Sequence, residues 1–221
     1  MAGGCDRELR EAPACASLCA FGERAKRWMR KAFRIVGVAA FAGLSAAPVL
    51  ALDVSGPIYT DTTWAVADSP VNVVADVQID GGARLTIEPG VQVRFAADAQ
   101  FLLTSGAIRA IGSSPAPIIF DSVAASANAG DWGPITIGDG SLDATTAWDY
   151  VVVRHGKGIV IEGASPTLNR VAIENNAGAA ITLDLASSPV GVGLTATGNG
   201  LNGVAIPPGT ITGSVRWGLV G

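Results

Sequence analysis

Beyond residue 52, apolar side chains recur at alternate positions in short runs. They include Val77/Ile79, Leu85/Ile87, Val91/Val93, Ile135/Ile137, Val151/Val153, Ile159/Ile161, Val171/Ile173, Ile181/Leu183, Val192/Leu194 and Val204/Ile206. The intervening residue is often Thr or Gln, as at Thr86, Gln92, Thr136 and Thr182. A period of two over so few residues predicts short strands with one face buried. No stretch carries the i, i+3, i+4, i+7 stripe of a three-turn helix, and Gly and Pro interrupt too often for one.

The strands also repeat. "SPTLNRVAIENNAGAAITL", residues 165–183, is followed by "SPVGVGLTATGNGLNGVAI", residues 188–206. Ser165-Pro166 returns as Ser188-Pro189, and Asn176 as Asn199. Ile159, Ile181 and Val204 follow at 22 and 23 residues; Val151, Val171 and Val192 follow at 20 and 21. A fixed period in this range is the mark of a solenoid. Sandwiches and barrels also use many short strands, but they join them by hairpins and seldom hold a sequence period. The expected fold is therefore all-β, a single-stranded parallel β-helix of about 22 residues per coil, with six or seven coils. Like residues stack on like in successive coils, Asn176 pairs Asn199 at equivalent turns, and a narrow Val/Ile/Leu core with few aromatics is predicted.

Several segments resemble a known family. "ARLTIEPGVQVRF" (83–95), "GAIRAIGSSPAPIIFDS" (106–122), "GDWGPITI" (130–137) and the two echoing segments are similar to secreted bacterial right-handed parallel β-helix proteins of the pectin-lyase-like superfamily. The resemblance spans about residues 57–210. It implies the fold but no single reaction, because the same coil serves polysaccharide lyases, glycoside hydrolases and non-catalytic surface proteins. "IYTDTTW" (58–64) and "ITGSVRW" (211–217) share an Ile-to-Trp spacing, so residues 211–221 are expected to be a cap or the start of a second module.

The first fifty residues read differently. From Met29, the basic Arg30, Lys31 and Arg34 precede an apolar run from Ile35 to Leu50, with Val49 and Ala51 before a cleavage point at Leu52. This pattern predicts a signal peptide over 29–51. The apolar run is shorter than the roughly 20 residues needed to cross a bilayer, so no transmembrane segment is expected in the mature chain. Residues 1–28, which hold all three cysteines (Cys5, Cys15, Cys19), read as an upstream extension that is not native. The exported product, 52–221, is expected in the periplasm, at the cell surface or outside the cell, without disulfides. From Leu52 onward, 15 acidic residues face 7 basic ones, a net charge of −8. That balance argues against nucleic acid as a partner.

Candidate chemistry is sparse. "RHGKG", residues 154–158, brings Arg154, the lone His155 and Lys157 together and would suit a base and cations beside a uronate carboxylate. Its position after strand 151–153, among glycines, favours a solvated turn. Asp121 and Asp131 are candidates for a carboxylate pair of the hydrolase kind, although Asp131 is expected to cap a turn and Trp132 to cover a loop. Asp139 and Asp143 in "DGSLD" offer alternating oxygens for a calcium ion, without completing the EF-hand pattern. Trp148 and Tyr150 are candidates for stacking on sugar rings, against the plainer expectation that Trp148 packs a loop. The lyase and polygalacturonase motifs "WIDH", "NTD" and "RIK" do not occur. The reading preferred on sequence is a non-catalytic structural or surface-binding module, with polysaccharide or cell-surface components as partners. The rival is a polysaccharide lyase or glycoside hydrolase on the same scaffold.

Overall fold

The computed structural model describes residues 51–221. The expected upstream extension (1–28) and export signal (29–51) lie outside the described residues, save for Ala51 at the end of the latter. The fold is an all-β parallel solenoid of about seven turns, with about 23 residues per coil. Every pairing between its strands is parallel. Among the described residues, no helix is long and apolar enough to cross a membrane.

Three faces run the length of the coil. On the first, one inward column passes Leu52, Val71, Val93, Phe120, Val153, Ile173 and Ala196. On the second it passes Gly56, Val77, Phe101, Ile135, Ile159, Ile181 and Val204. The third carries Trp64, Ile87, Ala110, Trp148 and Leu168, and closes with strand Gly218–Val220 against Val190–Val192. Each strand turns alternate residues inward, so the period-two pattern becomes three dry columns. Burying one such side chain stabilises by about 1.5–3 kcal/mol, and the gain accumulates between neighbouring rungs.

The predicted stacking of Ile159, Ile181 and Val204, and of Val151 on Val171, is observed. Val192 does not continue the second series. Val190 pairs Thr167 and Thr195 pairs Ala172, which puts Leu194 next to the column of Val171. Val192 is consequently 53% exposed. Gly193, at φ 68°, makes the corner that divides these two strands.

The core is also more aromatic than the sequence led us to expect. Trp64, Phe95, Phe101, Phe120, Trp132 and Trp148 are all buried. Trp132 stacks on Phe95 with centroids 4.1 Å apart and planes 10° from parallel, and Trp148 on Phe120 at 5.6 Å and 17°. The column on each face is narrow, but three inward faces meet at the axis and leave room for rings there.

Asn176 and Asn199 pair as predicted, with Asn176 Nδ2 donating to Asn199 Oδ1 at 2.9 Å. Asn176 Oδ1 accepts the Gly156 N–H at 2.8 Å, and Nδ2 also lies 3.1 Å from the Val153 carbonyl. One amide thus ties three successive rungs at a buried corner, where unpaired backbone groups would be costly.

Candidate functional site

The outward column of the first face is polar and alternates in charge. Asp53 pairs Asn72, Asn72 pairs Arg94, and Arg94 pairs Asp121; one rung on, Arg154 pairs Glu174, which pairs Thr197. Asp121 and Arg154 close the series through an ion pair at 2.8 Å. Neighbouring rungs lie roughly 4.8 Å apart, so unlike charges follow one another along the face.

At the centre of this column Asp121 is bound on both oxygens. Oδ2 accepts from Arg154 Nε at 2.8 Å, and Oδ1 lies 2.7 Å from His155 Nδ1. The Ser122 N–H also donates to Oδ1 at 2.8 Å. Burial is the largest single influence on this carboxyl and pushes its pKa up. The hydrogen bonds from His155, Arg154 and Ser122, with the Arg154 charge, outweigh it and hold Asp121 below the ordinary value.

The backbone explains why His155 stands there. His155 has φ 62°, and the corner continues in later rungs with Asn175 at φ 53° and Gly198 at φ 67°. These are residue types that tolerate the left-handed region. His155 is therefore a corner residue first, and its ring turns back onto Asp121.

The remaining sequence candidates do not join this cluster. Lys157 faces another way, with Nζ 3.5 Å from Asp98 Oδ1. Asp131 caps its own turn, where Oδ2 accepts the Asn128 N–H at 2.9 Å. Trp132 is not a loop cover: it is fully buried, and its Nε1 donates to the Arg154 carbonyl at 3.0 Å. Through that bond the core ring holds the strand end that carries Arg154. Asp139 is exposed, while Asp143 accepts from Ser141 Oγ at 2.7 Å. Among the described residues, no group of three or more His, Cys, Asp or Glu side chains is placed to hold a metal ion.

Sugar stacking on Trp148 is excluded by its position, since the ring is fully buried against Phe120. Thr146 Oγ1 and Trp148 Nε1, both buried, have no hydrogen-bond partner among the described residues. Tyr150 is half-buried, with the Arg170 guanidinium 4.6 Å above its ring. Arg170 in turn pairs with Asp149 through two nitrogens. One face of Tyr150 is thus already occupied by a cation.

Sequence reasoning missed Arg94, Gln92 and the groove they share with Asp121 and Arg154. This groove of about 380 Å³ runs along the first face, with Ser122–Ala125 forming part of its wall. Arg94 donates to Gln92 Oε1 at 3.0 Å and makes no ion pair among the described residues. The alternation in "VQVRF" marks Gln92 and Arg94 as outward-facing. Their rung partners, Ile119 and Asp121, lie in strand Ile118–Ser122, and the irregular segment 112–117 before it hides the register.

Comparison with known families places residues 56–147 in a match to the pectate-lyase-like beta helix domain. No curated protein and no solved structure matches the chain. The matched segment holds the first rungs of the solenoid, Arg94 and Asp121; Arg154 and His155 lie beyond it. The chain is thus a parallel β-solenoid, and residues 56–147 are similar to the pectate-lyase-like beta helix domain, consistent with the resemblance to the pectin-lyase-like superfamily.

Proposed function

We propose that the chain is an exported, non-catalytic β-helix module of the cell envelope or the extracellular space, which binds glycan or surface components along its first face. The observation that supports this reading is the closed pairing of Asp121. Both of its oxygens are taken by Arg154 and His155, and the Asp131 and Asp143 carboxylates accept hydrogen bonds within their own turns, from the Asn128 N–H and Ser141 Oγ. A general base needs an open lone pair within reach of a substrate proton, and an inverting pair needs a second carboxylate about 6.5–9.5 Å away across a cleft. The free hydrogen-bonding capacity of the groove belongs to Arg94 and Gln92, which suit an oxygen-rich, anionic ligand such as an acidic glycan. Export rests on the basic-then-apolar segment before Leu52.

A second reading keeps the same groove for catalysis, as a polysaccharide lyase or glycoside hydrolase. It is favoured by the gathering of two arginines and one carboxylate in a single depression. One experiment separates the two. The full chain is incubated with neutral and acidic polysaccharides, with and without calcium, and both retention on the polymer and release of new chain ends are measured. Retention without cleavage, weakened at least threefold by Arg94→Ala, is expected. Turnover that disappears in His155→Ala or Asp121→Asn would establish the enzyme instead.

A further inference from the structure

The corner between the third and first faces changes character from rung to rung. Tyr150 and Arg170 stack there, between the paired residues Asp149/Asn169 and Val151/Val171. Gly193 follows in the next rung, where the Val192 N–H donates to Asn169 Oδ1 at 3.2 Å. All three corners have positive φ: 48° at Tyr150, 46° at Arg170 and 68° at Gly193. Glycine adopts this conformation freely, whereas a bulky side chain is strained in it. Two large residues are nonetheless held at successive corners, so contacts of their side chains must offset the strain.

Those contacts use only part of Arg170. Its guanidinium carbon lies 4.6 Å from the centroid of the Tyr150 ring. Nε donates to Asp149 Oδ1 at 2.8 Å, and Nη2 donates to Oδ2. One face and one edge of the guanidinium are thus fixed. The opposite face is turned toward the next rung, where Gly193 has no side chain to cover it. A Cβ built on Gly193 would already stand 3.3 Å from Arg170 Cγ. The Arg170 side chain is 43% exposed, and the exposed Val192 stands beside Gly193. This opening is not an end of the coil, because strand Gly218–Val220 pairs Val190–Val192 on the far side of the same rung.

The spacing and the charge select the occupant. The separation of Tyr150 from Arg170 is close to the roughly 4.8 Å between rungs, so the next planar group in the stack falls at the level of Gly193. A guanidinium face attracts the negative face of an aromatic ring. It does not attract the C–H face of a sugar, whose hydrogens carry partial positive charge. With 15 acidic against 7 basic residues from Leu52 onward, a nucleobase on its phosphate chain is disfavoured. Val192 adds apolar contact at the ring edge. We propose that Arg170 is a docking site for an aromatic side chain of a protein partner, tryptophan or tyrosine, which completes a sandwich of Tyr150, Arg170 and ring over Gly193. The site shares no residue with the groove of Arg94 and Asp121. Asp149 and Tyr150 hold the guanidinium before the partner arrives, so little side-chain freedom is lost on binding.

The test is NMR titration of the purified full chain with N-acetyltryptophanamide, with N-acetylleucinamide and methyl glucoside as comparisons. Saturable shifts of the Arg170 Nε–H and the Val192 N–H are expected with the tryptophan probe alone, the former moved upfield by the ring current. Arg170→Lys keeps the charge but loses the planar face, and should weaken binding by about threefold or more, read at the Val192 N–H. Gly193→Asn sets a side chain over the guanidinium in a residue type that tolerates the left-handed backbone. It should abolish the shifts with an unchanged circular dichroism spectrum. Equal shifts with the leucine probe, shifts with methyl glucoside alone, shifts that persist in both variants, or no saturable shift at Arg170 would each overturn the proposal.

Discussion

Trp132 lies flat on Phe95, with ring centroids 4.1 Å apart, and the Gly156 backbone closes over the indole from the next rung. A Cβ built on Gly156 would stand 2.6 Å from Trp132 Cε2. The "GDWG" segment therefore does its work inside the coil. Gly156→Ala should destabilise by about 1–3 kcal/mol through overpacking, and Trp132→Ala by about 3–5 kcal/mol through the cavity it leaves. Urea unfolding followed by circular dichroism reads both. A neutral Gly156→Ala would mean that the indole is not packed under that backbone.

Asn176 should be far less replaceable than Asn199. Asn176 is 1% exposed and provides the acceptor for the Gly156 N–H. Asn176→Ala leaves that donor buried without a partner, at a cost of about 1–3 kcal/mol. Asn199 is more open, and Asn199→Ala should cost less in the same unfolding measurement. Equal losses would contradict the three-rung tie.

Acid should loosen the first face. Asp121 titrates below its ordinary value of 3.8, because its hydrogen bonds and the Arg154 charge outweigh the opposing effect of burial. Asp184 is also lowered: burial, again the largest single influence, opposes this, and the Ser187 hydroxyl with the N–H groups of Ser187, Ala186 and Gly163 overcomes it. A carboxyl whose pKa is depressed by folding contributes fully above its unfolded pKa. The contribution is lost as pH falls through the folded value. Stability should therefore be insensitive to these groups above about pH 5 and decline below 3.8. Asp121→Asn should be less stable near neutrality and lose less on acidification. Parallel acid-unfolding curves for the two proteins would rule out this role.

The architecture was legible in the sequence because its causes are local and repeated. Ser165/Ser188, Asn176/Asn199 and Ile159/Ile181/Val204 carry the register in their spacing wherever coils are of nearly equal length. Register failed at Val192, where Gly193 breaks a strand that runs unbroken as Thr167–Glu174 one rung earlier. The aromatic core was misjudged because two-residue alternation describes each face separately, and the rings meet only where three faces converge. For the candidate site, "RHGKG" rightly drew attention to Arg154 and His155. Their partner Asp121 lies 33 and 34 residues away across the irregular coil. Arg94 is a lone cation in a short strand, and only its place in the stacked column sets it in the same groove.

The account rests on parallel, in-register stacking of successive rungs, and a disulfide test measures that most directly. Val160 and Thr182 are paired outward residues of adjacent rungs, and Thr136 pairs Val160 from the rung before. With Cys5, Cys15 and Cys19 replaced by serine, mild oxidation of the V160C/T182C chain should give a quantitative intramolecular disulfide, since neighbouring rungs fall within the usual Cα separation of about 4.4–6.8 Å. The T136C/T182C chain, two rungs apart, should stay reduced. A disulfide in the second chain and none in the first would contradict the stacking order on which every column described above depends.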